Sequence, residues 1–562
     1  MTHSSSKRIQ VTPLDPLMLR DGKPFGDVAG IRAHTVNDVL SNTFAGSIRT
    51  MLHKALQQQV KLNPYDLQES ELKQQFEYIW HLDIRGPLYR YKGKLYFPTP
   101  KDAEIVKKAK DDKNHPGASV STDDSKHDPH VQNSKSAQPS FAINDSLPSN
   151  SVTVEKADQA IEVRRIVPIE HTLANYNSDQ AVADDPAHIL TPSSATVVFG
   201  GPHYGRKYIP DRLWLPENLD VRASKHNVAP AYISEDLMKD WLIAETDVHA
   251  DFQQKVQILA SSSLQANRSD DLEGAVSVEQ APLYLSAFEK EERVHIQMVP
   301  GQKMVAEGKL FSTRSLVLPL GLTLEAQIDE HKRGEYPKLN DWKKGFSRLH
   351  TLGGERRLVQ TDILPDESES APTALTTAGA ASANFWDFPP EIGAALDGKQ
   401  YVRMVLATPA FFKRGWLPGW LDEQLMSKSK ASNSEHNVSD EDRQGIQLGD
   451  CQLQLVWATI PRWQAVSGWA KHKPEPQTSD SSQPQTKIAQ PRYSERMVRR
   501  MVPAGSVYFF KVISGNPAEL ARLNWLRSVS DANPRHEAHD RGDGFGLALW
   551  GAWKPETTSE PE

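Results

Sequence analysis

The feature of this sequence that most restricts its fold is an apolar segment that runs directly into a glycine-containing turn at residues 13–26. Gly22 and Gly26 permit backbone angles that other residues avoid, and Pro24 stiffens the chain between them. An ordinary surface loop does not require this combination. The turn is predicted to present two cations and one aromatic ring at a fixed spacing, which suits a nucleotide: Arg20, Lys23 and Phe25.

A helix is predicted directly after this turn, over residues 43–56. Asn42 or Thr43 can cap it, its apolar residues share one face, and Arg49 lies near its start. Amides at a helix N-terminus and guanidinium groups both neutralise phosphate, and aromatic rings support bases. The strand, the glycine turn and the capped helix therefore form an opening unit suited to binding a nucleic acid.

The length of 562 residues exceeds the size at which one hydrophobic core usually stops growing, so at least two domains are expected. The single cysteine, Cys451, excludes an intrachain disulfide and fits a buried thiol in a reducing cytoplasm. The N-terminus leads into a strand instead of an apolar signal core, and no apolar run approaches the ~20 residues that cross a bilayer. We expect a cytoplasmic protein with no membrane contact.

The formal net charge of −7 argues against a free-standing nucleic-acid binder that relies on an overall positive potential. The charges are segregated, however. Residues 487–511 contain six basic residues and one acidic residue, whereas residues 361–397 contain seven acidic residues and no basic one. A local basic groove is therefore compatible with the net charge.

The composition also divides the chain. Residues from about 101 to 160 are rich in Asp, Ser, Lys and Asn and poor in aromatic residues, which predicts a disordered insertion. We expect the boundary between domains in the acidic segment after residue 365. The predicted division is an N-terminal domain at 1–365, an acidic linker at 366–398 and a C-terminal domain at 399–562.

With the insertions set aside, the first part has a ferredoxin-like order of strand, helix, strand, strand, helix, strand. Its predicted strands are at 8–19, 87–97, 294–299, 309–320 and after Gly354, and its predicted helices are at 43–56 and 341–349. The second part repeats the order more loosely. Its strands are predicted at 401–406, 452–457, 506–512 and 546–550, and its helix at 517–526.

Six further motifs follow the opening turn: RGPL at 85–88, YFPTP at 96–100, EGKLF at 307–311, LGGERR at 352–357, VPAGSVYFF at 502–510 and GFGLALWG at 544–551. In this order they resemble the RAMP superfamily of CRISPR proteins, and most closely the third subunit of the type III-B Cmr effector complex. The resemblance covers nearly the whole chain. It implies an α+β fold of two tandem ferredoxin-like (RRM-like) domains with long helical or disordered insertions.

The candidate RNA-binding residues of the opening unit are Arg20, Lys23, Phe25 and Arg49. The alternative is that Arg20 pairs with a neighbouring acid, Phe25 belongs to the core and Arg49 is a solvated helix residue. A second set follows a pair of glycines whose amides can form an anion nest. It consists of Arg356 and Arg357, with an ion pair to Glu355 or the acidic linker as the alternative.

Three other segments add candidates. Arg499 belongs to a basic run with Arg496 and Arg500, and a solvated surface run is the alternative. The glycine, ring and cation cluster at 200–208 contributes Arg206 and Lys207, which a simple surface loop also explains. Phe545 follows a Gly-Phe-Gly pattern familiar in RAMP proteins. Asp543 stands where many RAMP loops are more glycine-rich or basic, so core packing of Phe545 is the alternative.

The sequence predicts no catalytic residue, no metal site and no cofactor. Its histidines show no ligand spacing, and a P-loop pattern is absent. Some RAMP relatives cleave precursor CRISPR RNA with a histidine as general acid or base near the first helix. Only His34 and His53 are near enough here, and a loop histidine without a catalytic role is the favoured interpretation.

The resemblance implies a non-catalytic subunit that grips the 5′ handle of the guide RNA (crRNA) and caps the backbone filament. Its expected partners are the crRNA, the large polymerase-like subunit, the first backbone-forming subunit and, indirectly, the target RNA. Two alternatives remain open. One is a metal-independent endoribonuclease that matures crRNA with His34, and the other is a protein-only scaffold.

Overall fold

The computed structural model describes residues 6–20, 32–62, 78–80, 82–107, 161–168, 230–245, 281–299, 301, 304–329, 348–364, 384–428, 446–466, 469–471, 493–495, 498–531 and 540–555. Within these residues the chain is a mixed α/β structure whose strand pairs are antiparallel with one exception, a short parallel pair. This agrees with the predicted α+β class.

The first part of the chain is built on an eight-stranded sheet with smaller ribbons beside it. Its helices are α1 (Ser41–Leu62) and α2 (Glu235–Ile243). Its strands, in chain order, are β1 (Ser6–Pro13), β2 (Arg32–Ala33), β3 (Asp83–Tyr91), β4 (Lys94–Pro98), β5 (Ala103–Lys107), β6 (Ile161–Arg165), β7 (Tyr232–Ser234), β8 (Tyr284–Leu285), β9 (Glu289–Met298), β10 (Val305–Val317), β11 (Thr323–Asp329), β12 (Leu349–Thr351) and β13 (Leu358–Ile363).

The strand order of the large sheet is β12-β13-β1-β11-β3-β4-β7-β8. β1 lies in the middle, antiparallel to both β11 and β13, with Ile9 opposite Ala326 and Ile363. The long hairpin β9–β10 forms a separate three-stranded sheet with β2. Another ribbon pairs β5 with β6.

The large sheet is buried on both faces because its side chains alternate between two cores. Tyr89 of β3 and Tyr96 of β4 belong to the core that includes the apolar face of α1. Their neighbours Leu88, Leu95 and Phe97 point the other way, into a core shared with the second part of the chain. The sheet is therefore the wall between α1 and the C-terminal sheet.

The second part of the chain contains a five-stranded antiparallel sheet of order β15-β20-β14-β22-β21. Its helices are α3 (Pro390–Leu396) and α4 (Pro517–Asn524), and Asn516 caps α4 by accepting from the amides of Ala518 and Glu519. Its strands are β14 (Tyr401–Leu406), β15 (Gln452–Thr459), β16 (Gln464–Val466), β17 (Trp469–Lys471), β18 (Tyr493–Glu495), β19 (Arg499–Met501), β20 (Val507–Ser514), β21 (Arg527–Ser528) and β22 (Leu547–Ala552).

Helix α2 joins the two parts. Its Trp241 donates to Asp102, the carboxylate that also accepts from the fully buried Arg403 of β14 at 3.1 Å. The guanidinium of Arg165 lies over the Trp241 ring, 3.9 Å from its centroid. Since Leu237, Met238 and Leu242 of the same helix belong to the C-terminal core, the two parts share one hydrophobic interior.

Most of the predicted elements are present with shifted ends. The strand predicted at 8–19 ends at Pro13, and the strand predicted at 87–97 is the hairpin β3–β4, turned by Lys92-Gly93. Of the helix predicted at 341–349, residues 341–347 lie outside the described residues, and Leu349 belongs to β12. Within the insertion predicted at 101–160, residues 103–107 form β5, and residues 108–160 lie outside the described residues.

The sequence interpretation missed helices α2 and α3 and several strands, among them the inner strand β11 of the large sheet. Helix α3 lies within the predicted acidic linker and places Ile392 and Leu396 in the shared core. The division into domains at 365 and 399 remains a prediction. None of the described helices is long and apolar enough to span a membrane.

Candidate nucleic-acid interface

The first predicted RNA-binding residue, Arg20, is exposed at the end of the segment that follows β1. This segment is held by backbone hydrogen bonds of Leu17 to Leu316 of β10, and by Leu19 to Val36. The hydroxyl of Thr35 and the backbone of Leu19 also exchange two hydrogen bonds of 3.1 Å. Arg20 therefore stands at a fixed point of the surface.

Lys23 and Phe25 lie outside the described residues, between Arg20 and β2. The described structure nevertheless fixes both ends of that segment. Arg20 forms a backbone bridge to Thr35, and β2 pairs with residues 312 and 313 of β10. The residues that flank this segment thus lie at one place, beside the β9–β10 hairpin.

The second predicted set, after the glycine pair, lies at the same place. Gly354 donates its amide to the Met18 carbonyl at 2.7 Å, and Gly353 has a φ of 80° with its Cα against the same carbonyl. A Cβ at Gly353 would lie 2.6 Å from the Met18 oxygen, so only glycine fits this close approach. The turn is consequently docked two residues from Arg20.

The two arginines of this turn have different environments. Glu355 and Arg356 both have left-handed backbone angles, with φ of 53° and 52°, and both side chains are exposed. Arg357 is half-buried and forms an ion pair with Glu355 at 2.9 Å. For Arg357, the structure has the predicted alternative, a salt bridge to Glu355. Arg356 extends from the surface.

The β9–β10 hairpin adds mixed charge beside this turn. Arg293 and Glu291 form a close ion pair, and the hydrogen bond from Arg293 lowers the pKa of the Glu291 carboxyl. Glu292 accepts from Arg314 and is paired with Arg32 at 3.7 Å, and the bond from Arg314 lowers the pKa of Glu292. These hairpin cations are partly neutralised by their glutamates, and Arg20 and Arg356 are exposed at the same edge.

Arg49 has a packing role instead of the predicted surface position. It is 5% exposed, and its guanidinium pairs with Asp543 at 2.5 Å. It also donates to the carbonyls of Leu82 and Gly542, at 2.9 and 3.1 Å. The residue joins α1 to the C-terminal glycine loop, so in this conformation its charge is not available to RNA. The alternative interpretation of Arg49 as a solvated helix residue does not agree with this burial.

Phe545 is likewise removed from the surface. Its ring is 1% exposed and makes an edge-to-face contact with Phe411, with centroids 4.9 Å apart. The preceding Gly544 has a φ of 89°, and a Cβ there would lie 2.2 Å from the Gly86 carbonyl oxygen. The terminal glycine loop is therefore a close-packed joint between the two parts of the chain, and core packing, the alternative for Phe545, describes it.

Arg499 is held by a carboxylate and a ring. It donates two hydrogen bonds to Asp540, at 2.9 and 2.5 Å, and its guanidinium lies 3.7 Å from the Phe411 centroid. Such a bidentate pair leaves little charge for phosphate. Its neighbour Arg500 is exposed on the opposite side of the strand. The predicted residues Arg206 and Lys207 lie outside the described residues.

The histidines form no catalytic arrangement among the described residues. His34 is half-buried in the segment between β2 and α1, and among the described residues no hydrogen bond or ion pair joins it to a general acid or base. His350, a residue that the sequence interpretation did not consider, is buried beside α1, where burial and the nearby Lys54 lower its pKa. The described part of the chain also contains no group of three or more metal-ligating side chains.

A family model described as "CRISPR-associated protein (Cas_Cmr3)" matches residues 9–137 and 205–553. This match covers most of the sequence, and the chain therefore belongs to the Cas_Cmr3 family of CRISPR-associated proteins. The resemblance stated from the sequence motifs is confirmed at the level of the family. A search among curated proteins found no match.

Among solved structures, the chain is similar to a chain of the type III-B Cmr-beta complex bound to cognate target RNA. The identity is 10% and the TM-score 0.30, over 90% of this chain and 86% of the other. A second is the Csm3-Csm4 subcomplex of the type III-A CRISPR-Cas interference complex, at 9% identity and a TM-score of 0.30, over 98% and 100% of the two chains.

Proposed function

We propose that this protein is a non-catalytic RNA-binding subunit of a type III CRISPR effector complex, most closely of type III-B. In this role it grips the 5′ handle of crRNA and caps the backbone filament next to the large polymerase-like subunit. The proposal combines membership of the Cas_Cmr3 family with one observation. The exposed Arg20, the two ends of the segment that carries Lys23 and Phe25, and the turn at 353–357 all meet at one edge.

The chemistry of this edge supports RNA as its ligand. Exposed guanidinium groups bind phosphate, and Glu355 and Arg356 have the left-handed backbone angles that occur in anion nests. The acidic net charge limits the affinity of the isolated chain, so neighbouring subunits complete the groove in this proposal. Assembly in the cytoplasm and the absence of catalysis belong to the same proposal.

The strand order supports the tandem ferredoxin-like part of the proposal. In the order β13-β1-β11-β3, the strands that come first and third in the chain, β1 and β11, are central. The second and fourth, β3 and β13, flank them, and all three pairs are antiparallel. The order β22-β14-β20-β15 repeats this arrangement in the second part. Helix α1 follows the first strand of the N-terminal unit, and α4 follows the third strand of the C-terminal one.

The test is charge reversal at the proposed edge. The tagged full chain would be purified from its own cells, and the RNA and proteins that accompany it would be identified. We expect repeat-derived crRNA with several Cmr-type subunits for the wild type. Arg20→Glu and Arg356→Glu are each expected to reduce the recovered crRNA, while Arg348→Glu, an exposed arginine paired with Asp362, serves as the control.

Three results would contradict the proposal. A wild-type protein recovered without guide RNA would reject RNA binding outright. Normal crRNA recovery by the Arg20→Glu, Arg356→Glu double variant would show that the RNA binds another surface. Cleavage of a repeat RNA by the purified protein, abolished by His34→Ala, would support the endoribonuclease alternative.

A further inference from the structure

The short ribbon β16–β19 has two faces of opposite character. Its pairs are Gln464 with Met501, Ala465 with Arg500, and Val466 with Arg499. Because side chains alternate along a strand, residues 464, 466, 499 and 501 share one face and residues 463, 465, 498 and 500 share the other. The ribbon thus has a distinct second face that the core does not use.

The first face is anchored. Val466 and Met501 are buried in a small cluster with Phe411, Phe545 and Leu40. On the same face, Arg499 lies over the Phe411 ring and pairs with Asp540. These contacts fix the ribbon to the body of the protein through its inner side and leave no freedom for the ribbon to turn over.

The second face carries an exposed aromatic ring with a cation over it. Trp463 is 40% exposed, and the guanidinium of Arg500 lies over one side of its ring, 4.7 Å from the centroid. Arg462, which precedes Trp463 in the chain just before β16 begins, is also exposed. Neither Arg462 nor Arg500 forms an ion pair with any residue that the structure describes, in contrast to Arg499 behind them.

The size and charge of this face indicate its occupant. Apart from the tryptophan, its apolar surface consists of Ala465 and Val498, which is far less than the ~800 Å² that each partner contributes to a stable protein interface. One ring covers about one base. Two guanidinium groups without carboxylate partners beside an open ring are the combination that holds single-stranded nucleic acid, where phosphate binds the cations and a base stacks on the ring.

We propose that this outer face of β16–β19 is a stacking platform for one base of single-stranded RNA, with Trp463 as the stacking ring and Arg462 and Arg500 as phosphate-binding residues. The inference rests on the proposed function, because it adds a second contact for the RNA bound by the same protein. It is separate from the edge at Arg20 and Arg356 and uses residues of the other part of the chain.

The experiment measures binding of a fluorescein-labelled, repeat-derived crRNA to the purified full chain by fluorescence anisotropy. Trp463→Leu is expected to weaken binding about tenfold, the effect of one lost base stack, without changing the dependence of affinity on salt. Trp463→Phe keeps a ring and is expected to retain most of the affinity. Arg462→Glu and Arg500→Glu are expected to weaken binding and to reduce the salt dependence.

The possible outcomes separate this inference from the proposed function. If Arg20→Glu and Arg356→Glu weaken binding while Trp463→Leu binds like the wild type, the platform is wrong and the proposed function stands. If neither the isolated wild-type chain nor the complex purified with it binds the RNA, the proposed function fails first. If Trp463→Leu and Trp463→Phe both bind RNA normally but lose a partner subunit in the purified complex, the face contacts protein and the platform is overturned.

Discussion

Single residues decide how this protein uses its charges. Of the arginines that the sequence singled out, Arg49 and Arg499 are occupied by carboxylates, and the exposed ones are Arg20 and Arg356. The sequence alone could not distinguish the buried, paired arginines from the exposed ones. Arg49 and Asp543 are 494 residues apart, and only the folded chain brings the two charges together.

The Arg49–Asp543 pair is expected to contribute strongly to stability. Arg49→Met leaves the Asp543 carboxylate buried without its cation, and such a loss costs about 3–5 kcal/mol. We expect a large drop in the melting temperature. The matched control is the exposed pair Arg522–Glu519, where Arg522→Met is expected to cost less than about 0.5 kcal/mol. Equal melting temperatures for the two variants would contradict the packing role of Arg49.

A second prediction at this scale concerns pH. Burial raises the pKa of Asp38 from 3.8 to about 6, although hydrogen bonding and nearby lysines act in the opposite direction. Because the pKa of Asp38 is higher in the folded state, this group does not lower the free energy of unfolding below about pH 3.8. As pH rises from there to about 6, ionisation of Asp38 lowers the free energy of unfolding progressively, and the full loss is reached above about pH 6.

Asp38→Asn removes this cost while leaving an oxygen that can accept from Tyr232, which donates to Asp38 in the wild type. We therefore expect the variant to gain stability relative to the wild type at pH 7, and this gain to shrink toward pH 4. Denaturant unfolding at both pH values measures it. A difference between the two proteins that does not change with pH would exclude Asp38 as its source.

At the scale of elements, helices and strands with clear apolar patterns were predictable, such as helix α1 and strands β14 and β20. Strand β11 was missed although its signal was present: residues 324–329 alternate strictly between apolar and polar side chains, the pattern of a half-buried strand. The sequence could not show that Glu325 and Asp329 on the polar face are buried too. They pair with Arg90 and Arg85 of β3, and these contacts exist only in the folded sheet.

The turn at 353–357 provides a prediction for an element. Gly353→Ala introduces both a strained φ and a contact with the Met18 carbonyl. Gly93 has nearly the same φ, 81°, with no atom near its would-be Cβ, so Gly93→Ala carries the strain alone. We expect about 1 kcal/mol of destabilisation for Gly93→Ala and ~2–3 kcal/mol for Gly353→Ala.

Both variants would be compared by denaturant unfolding and by crRNA binding. Only Gly353→Ala is expected to weaken RNA binding, because it displaces the turn from its place beside Arg20. Equal losses of stability in the two variants would show that the close approach to Met18 has no energetic importance. An unchanged RNA affinity in Gly353→Ala would argue against the proposed edge.

At the scale of the whole molecule, the two parts depend on one interior. Helix α2 and the sheet residues Leu95 and Phe97 supply apolar side chains to the C-terminal core. The sequence suggested tandem domains with a linker, but long-range packing of this kind has no local signal. Phe385 and Trp386, which lie within the predicted linker, belong to the same core.

We therefore expect the fragment 384–562 to be insoluble when produced alone and soluble when produced together with 1–364. The physical reason is that the fragment alone exposes the apolar surface that α2 covers. Sedimentation of cell extracts measures the result. In the full chain, Trp241→Ala is expected to destabilise by ~3–5 kcal/mol, whereas Trp80→Ala, at a tryptophan that is 52% exposed, is the milder control. A soluble, folded lone fragment would show that the parts are independent.

The joint between α1 and the terminal glycine loop also has a consequence for synthesis. A ribosome adds Asp543 494 residues after Arg49. At ~5–20 residues per second, this interval is roughly 25–100 s. Throughout it, the nascent helix carries an arginine without its carboxylate, and the position on β3 that the glycine loop contacts is uncovered. The packing around α1 is thus completed only by residues translated long after the helix itself.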